Sequence, residues 1–143
     1  MGADVTGSLL REVARRYTRA QRGVASDCDT TAMQCHLLCE LARCGALSVG
    51  ALAQRLGFEK SWISRSVDKA AGSGLVSKLP DPADGRGVLV RLSPAGRARA
   101  RALDRDLALH ADQLLAHLAP ADRAGLRQSL ATLLHSLAGD VEP

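Results

Sequence analysis

The sequence predicts a single, mainly α domain with a small β-wing. Three features predict it. Apolar residues recur at helical spacing along most of the 143 positions. Two short helical stretches meet around Gly57, and two β-like runs flank a turn-rich octapeptide at 80–87. Hydrophobic residues make up 46% and charged residues 24%, a balance that builds an ordinary core and excludes a disordered chain.

The first helix is expected over about 6–23. Leu9, Leu10, Val13, Ala14 and Tyr17 repeat at helical spacing, while Arg11, Arg15, Arg16 and Arg19 take the other faces. Thr30 and Thr31 offer capping hydroxyls to a second helix bearing Met33, Leu37, Leu38 and Leu41, which stops near Gly45. Ser48 caps a short third helix over 49–56. A fourth begins at Glu59 or Lys60, runs to about Ala71 and is closed by Gly72 and Gly74. Two short helices around a glycine-containing turn have the layout of a helix-turn-helix.

Residues 75–79 and 88–92 are strand-like, and Pro80, Asp81, Pro82, Asp84, Gly85 and Gly87 between them are turn formers. A hairpin directly after a helix-turn-helix is the wing of a winged helix. The reading lobe is therefore expected at about 46–95. Ser93 and Pro94 open a fifth helix over 94–118, proline being favoured in a first turn. Its 97–106 stretch is charged enough that it is not expected in a monomer core. Pro120 restarts the chain as a last helix with Leu126, Leu130, Leu133, Leu134 and Leu137 at helical spacing. Long helices at about 6–23 and 94–138 carry apolar stripes that need another surface, which makes a homodimer the expectation.

Charge locates the working face. Lys and Arg number 19 against 15 for Asp and Glu, a net +4. Between residues 53 and 91 there are seven basic and four acidic side chains, so most of the excess sits on the winged-helix lobe. In the fourth helix Lys60, Ser61, Ser64, Arg65 and Lys69 can donate to phosphates or base edges, while Ile63, Val67 and Ala70 hold the opposite face to the body. A polyanion is the partner this balance suits. Tyr17, Phe58 and Trp62 are too few to form a stacking platform for single strands.

These motifs bear a specific resemblance. Gly74-Leu75, Asp84 with Arg86, and Leu92-Ser93 with Gly96 stand where the MarR family of bacterial winged-helix regulators has its "GL(V/I)" strand, D-x-R wing and "LT-x-x-G" motif, with Ser for the usual Thr. Leu52-Ala53, Leu56, Lys60-Ser61 and Ser64-Arg65 match that family's helix-turn-helix. The resemblance covers nearly the whole chain. It implies a homodimer on a pseudo-palindromic duplex operator, with the fourth helix in the major groove and Arg86 in the minor groove. It also implies that Asp84 orients Arg86, and that an effector binds between the reading lobe and the dimer helices. Repression relieved by a signal is the implied function.

The four cysteines, Cys28, Cys35, Cys39 and Cys44, crowd one short stretch rather than spreading into a disulfide framework. Cys35 and Cys39, at i and i+4, share a face of the second helix. Three readings stand. The thiols pack as small hydrophobes. They bind a thiophilic metal or metalloid, Cu(I), Zn(II) or trivalent arsenic. Or they sense oxidants, with Arg43 depressing a thiol pKa. His36 could add a nitrogen ligand, although the helical wheel places it with Glu40 and Arg43. No C-x-x-C zinc spacing is present, and no cofactor is obligatory.

Enzyme chemistry has little to stand on. His36, His110, His117 and His135 form no H-E-x-x-H, Gly85 and Gly87 lie between strands rather than before a helix, and Ser61 and Ser64 lack a base. The classes left competing with a DNA-binding regulator are a cysteine-based metal-binding or interaction protein that never touches DNA, and a small hydrolase. No apolar run reaches membrane length and no basic-then-apolar leader opens the sequence, so a cytoplasmic protein without membrane contact is expected.

Overall fold

The computed structural model of the chain describes residues 2–139. Its elements run α1 (Gly2–Asp27), α2 (Ala32–Cys44), β1 (Leu47–Ser48), α3 (Val49–Leu56), α4 (Lys60–Gly72), β2 (Val76–Asp81), β3 (Asp84–Leu92), α5 (Pro94–Leu115) and α6 (Pro120–Gly139). The chain divides into one compact unit up to Leu107 and a second from Ala108.

The first unit holds the winged helix. Thr31 Oγ1 accepts from the Gln34 N–H at 3.2 Å and Ser48 Oγ from the Ala51 N–H at 3.0 Å, so both inner helices start on hydroxyl caps. Gly57 ends α3 in the left-handed region (φ 72°, ψ 30°), where a side chain would be strained. Its N–H closes back on the Ala53 carbonyl at 2.9 Å. The core gathers Leu37, Leu38 and Leu41 of α2, Leu52 of α3, Ile63 and Val67 of α4, Val90 of β3 and Leu103 of α5.

The sheet is antiparallel in the order β1-β3-β2, with Leu47 opposite Val90 and Val76 opposite Leu92. Sequence periodicity gave no sign of β1, because two residues are too few to show alternation. The wing strands also run further than 75–79 and 88–92. Pro80 is tolerated because β2 is an edge strand, and a register shift follows it at Asp81. Only Pro82 and Ala83 remain as the turn, which Asp81 Oδ1 closes by accepting the Ala83 N–H at 2.9 Å.

Three further expectations need correction. α1 extends past residue 23 to Asp27, since one glycine inside a helix is a modest cost. α5 stops at Leu115 rather than 118. The charged 97–106 stretch does enter the core. Ala100 and Leu103 are buried there, and Gly96 lets α5 approach the strand so closely that a Cβ would lie 1.9 Å from the Leu75 carbonyl oxygen. The arginines lie on its other faces. Arg99 donates to the carbonyls of Cys28 (2.8 Å) and Asp29 (3.2 Å) and to Thr30 Oγ1 (3.2 Å), pinning the turn between α1 and α2.

In the second unit, Arg123 of α6 pairs with Asp112 near the end of α5. Leu130, Leu133, Leu134 and Leu137 of α6 are exposed, as are Leu109 and Leu114 of α5. In the first unit α1 likewise exposes Val5, Leu9, Leu10, Val13 and Tyr17.

Candidate functional site

The polar face of α4 is built by its register. Ile63, Val67 and Ala70 are buried, so Lys60, Ser61, Ser64, Arg65 and Lys69 are exposed. The start of α4 carries no side-chain cap, which leaves its first N–H groups available to an anion. Lys60, Ser61 and Ser64 then line a shallow groove of about 660 Å³ together with Ser48, Val49 and Gly50 at the start of α3 and Asp84, Arg86 and Val88 of the wing. Helix and wing thus share one concave surface, on which Lys60 and Arg86 stand with Asp81 and Asp84. Arg65 and Lys69 lie outside its lining. Arg65 Nε leans back on the Ser61 carbonyl at 3.4 Å. The sequence places the Ser48 cap and α3 correctly but gives no sign that Ser48, Val49 and Gly50 border this groove.

At the wing tip Asp84 Oδ1 accepts the main-chain N–H of Arg86 at 3.1 Å. The carboxylate fixes the backbone of the turn, and the exposed guanidinium has no protein partner among the described residues. Further along α4, on the same face as Ser61 and Ser64, Asp68 pairs with Lys78 of β2 and fastens the wing to the helix.

The cysteines divide into a pair and two singles, all of them free thiols. Cys35 and Cys39 line a cavity of about 490 Å³ with Gln21 of α1, His36 of α2, Leu56 at the end of α3 and Leu107 of α5. Cys28 is drawn away to Asp106 (3.4 Å) and Cys44 to Glu40 (3.5 Å). Cys39 in hydrogen-bonding reach lowers the Cys35 thiol pKa against the opposing effect of burial, and the Gln21 amide helps. Cys39 is pushed up, because it keeps its proton beside Cys35 and is itself desolvated. Burial and then Asp106 raise Cys28. The expected role of Arg43 is therefore corrected. Its guanidinium is taken by Glu40 at 2.7 and 3.0 Å, and the lowering at Cys35 comes from Cys39 and Gln21. Among the described residues no group of three or more His, Cys, Asp or Glu side chains is placed to hold a metal ion.

One connection escaped the sequence reading. His36, on the cavity wall, meets Phe58 (centroids 6.4 Å apart), and Phe58 stacks on Trp62 of α4 at 6.3 Å with 17° between planes. Phe58 and Trp62 at i and i+4 were the available signal.

A capped α3, a glycine turn and the basic α4, with a hairpin wing beside them, define a winged-helix protein. The MarR family profile matches residues 29–87. The multiple antibiotic resistance protein MarR of Salmonella typhimurium is 33% identical over 92 residues, 64% of this chain and 64% of that protein. The HTH-type transcriptional repressor NicR of Pseudomonas putida is 34% identical over 98 residues, 66% of this chain and 62% of the relative. The match thus spans a little under two thirds of these relatives' length. The crystal structure of a mutant Escherichia coli MarR complexed with operator DNA superposes with a TM-score of 0.75 at 28% identity, covering 90% of this chain and 92% of that one. Over residues 29–87, and in its fold, the chain is thus similar to the MarR family, whose members are transcriptional regulators rather than enzymes. No helix among the described residues is long and apolar enough to cross a membrane.

Proposed function

We propose that the chain is a homodimeric, cytoplasmic repressor that binds a pseudo-palindromic duplex operator and is released when a thiol-reactive or thiophilic signal reaches Cys35 and Cys39. The observation that carries the DNA reading is the shared groove of Lys60, Ser61, Ser64 and Arg86. A helix face and a wing tip on one concave surface suit adjacent grooves of a duplex. The name of NicR and the operator in the Escherichia coli MarR crystal support the same reading. Two copies related by a two-fold axis contact half-sites about one helical turn, ~34–36 Å, apart. The exposed leucines of α6 in one unit and the exposed apolar stripe of α1 in the other each offer a surface for pairing. A signal that binds one dimer state better than the other shifts the population only by that difference in affinity.

Fluorescence anisotropy on the duplex upstream of the protein's own gene tests this. With six to ten phosphate contacts per dimer, affinity falls by about 10³–10⁵ between 50 and 200 mM salt. Binding that ignores salt, or no binding in dilute buffer, overturns the reading.

A further inference from the structure

We propose that Cys35 and Cys39 form a dithiol site for a trivalent arsenical bearing one organic group, with that group lodged in the adjoining cavity. The two thiols sit one helical turn apart on one face of α2 and both open on the same space of about 490 Å³. That volume is within the range of small-molecule pockets. Cys28 and Cys44 are engaged elsewhere, by Asp106 and Glu40, so α2 offers this space two sulfur donors. Tetrahedral Zn(II) asks for four ligands. An arsenic(III) with one carbon substituent asks for two, and thiolate is the soft donor it prefers. Leu56, Ala100 and Leu107 give the carbon substituent an apolar wall.

The chemistry balances without an oxidant. An organoarsonous acid, RAs(OH)2, condenses with two thiols. Two As–O bonds break, two As–S bonds form and two waters leave, each taking one thiol proton. Arsenic stays trivalent. Half-buried Cys39 reacts first, and Cys35, 1% exposed, closes the ring from within the protein. His36 beside the site passes occupancy through Phe58 to Trp62, one position from Ser61 on the groove-lining helix. This regulatory consequence rests on the DNA-binding reading; the thiol site does not.

Phenylarsine oxide, titrated into the reduced full-length protein without DNA, is the test. Intact mass shows one phenylarsenic per chain, and the fluorescence of Trp62, the single tryptophan, changes in step. The second As–S bond is intramolecular, so Cys35→Ser or Cys39→Ser weakens retention by about a hundredfold or more. The Cys28→Ser/Cys44→Ser protein binds like the parent. Where Cys35→Ser fails to fold, half-buried Cys39 decides through Cys39→Ser. Undiminished binding by a folded single variant, an adduct mapped to Cys28 or Cys44, or an adduct silent at Trp62 overturns the proposal. So does inorganic arsenite binding as tightly, since the cavity would then add nothing. A protein that takes the arsenical yet binds no duplex supports the thiol site and fails the DNA reading.

Discussion

Asp84 holds Arg86 by its backbone and not by its guanidinium: the carboxylate accepts the Arg86 main-chain N–H at 3.1 Å. The D-x-R pattern in this wing is therefore a turn lock that leaves the guanidinium without a partner among the described residues. Replacing Arg86 by alanine is expected to cost about 1–3 kcal/mol of duplex affinity, the range for a base-reading arginine. Asp84→Asn keeps an acceptor oxygen and loses less than Asp84→Ala. Anisotropy on all three variants decides, and equal losses for Asn and Ala would show that the charge matters rather than the acceptor.

Gly96 is the tightest backbone approach among the described glycines. A Cβ there would meet the Leu75 carbonyl oxygen at 1.9 Å, and Ser93 already binds that strand end through its N–H to Leu75 (3.0 Å) and its hydroxyl to Gly74 (2.5 Å). Gly96→Ala must push α5 off β2, with a loss of about 1–3 kcal/mol or more, as for an overpacked core. At Gly23 in α1 a Cβ meets nothing within 4 Å, so Gly23→Ala is expected to gain about 0.5–1 kcal/mol. Urea midpoints separate the two, and a neutral Gly96→Ala would refute the close approach.

The lesson of Gly96 extends to what the sequence made legible. Helix order, both hydroxyl caps and the wing were readable because each is local: a serine or threonine before an apolar period, a cluster of turn formers between β-like runs. The assembly of Lys60, Ser61, Ser64 and Arg86 on one surface followed from that order. Contacts set by tertiary packing were not readable. Nothing local shows that Ala100 and Leu103 would turn inward from an arginine-rich helix, or that Cys28 would lean on Asp106 while Cys35 and Cys39 share a cavity. Strand β1 escaped because it exists only by pairing with β3.

The leucines of α6 carry a prediction about assembly. Leu134 and Leu137 are 68% and 61% exposed, with Leu130 and Leu133 beside them on the same helix. A stripe of this size reads as the interface of the proposed dimer. Sedimentation is expected to give twice the chain mass for the wild type and the single-chain mass for Leu134→Asp/Leu137→Asp. The same variant should bind the operator weakly, because its two half-sites are no longer engaged together. A double variant that keeps twice the chain mass would remove α6 from the interface.

Glu40 sets the acid-side behaviour of the junction between α2 and α3. Burial works against its ionisation, but Arg43 (2.7 Å), the Cys44 thiol and Arg55 (3.7 Å) together hold its pKa below the ordinary 4.5. A carboxyl depressed in the folded state contributes stability that is fully present above its unfolded value. That contribution is lost as pH falls through the folded value. Glu40→Gln should therefore lower the urea midpoint at pH 7, and the gap to wild type should close as pH drops below about 4.5, the region where free glutamate titrates. Salt should narrow the gap at pH 7 as well, since both arginines are substantially exposed. A gap that stays constant from neutral to acid pH would mean that packing of the side chain, and not its charge, is what α2 and α3 share there.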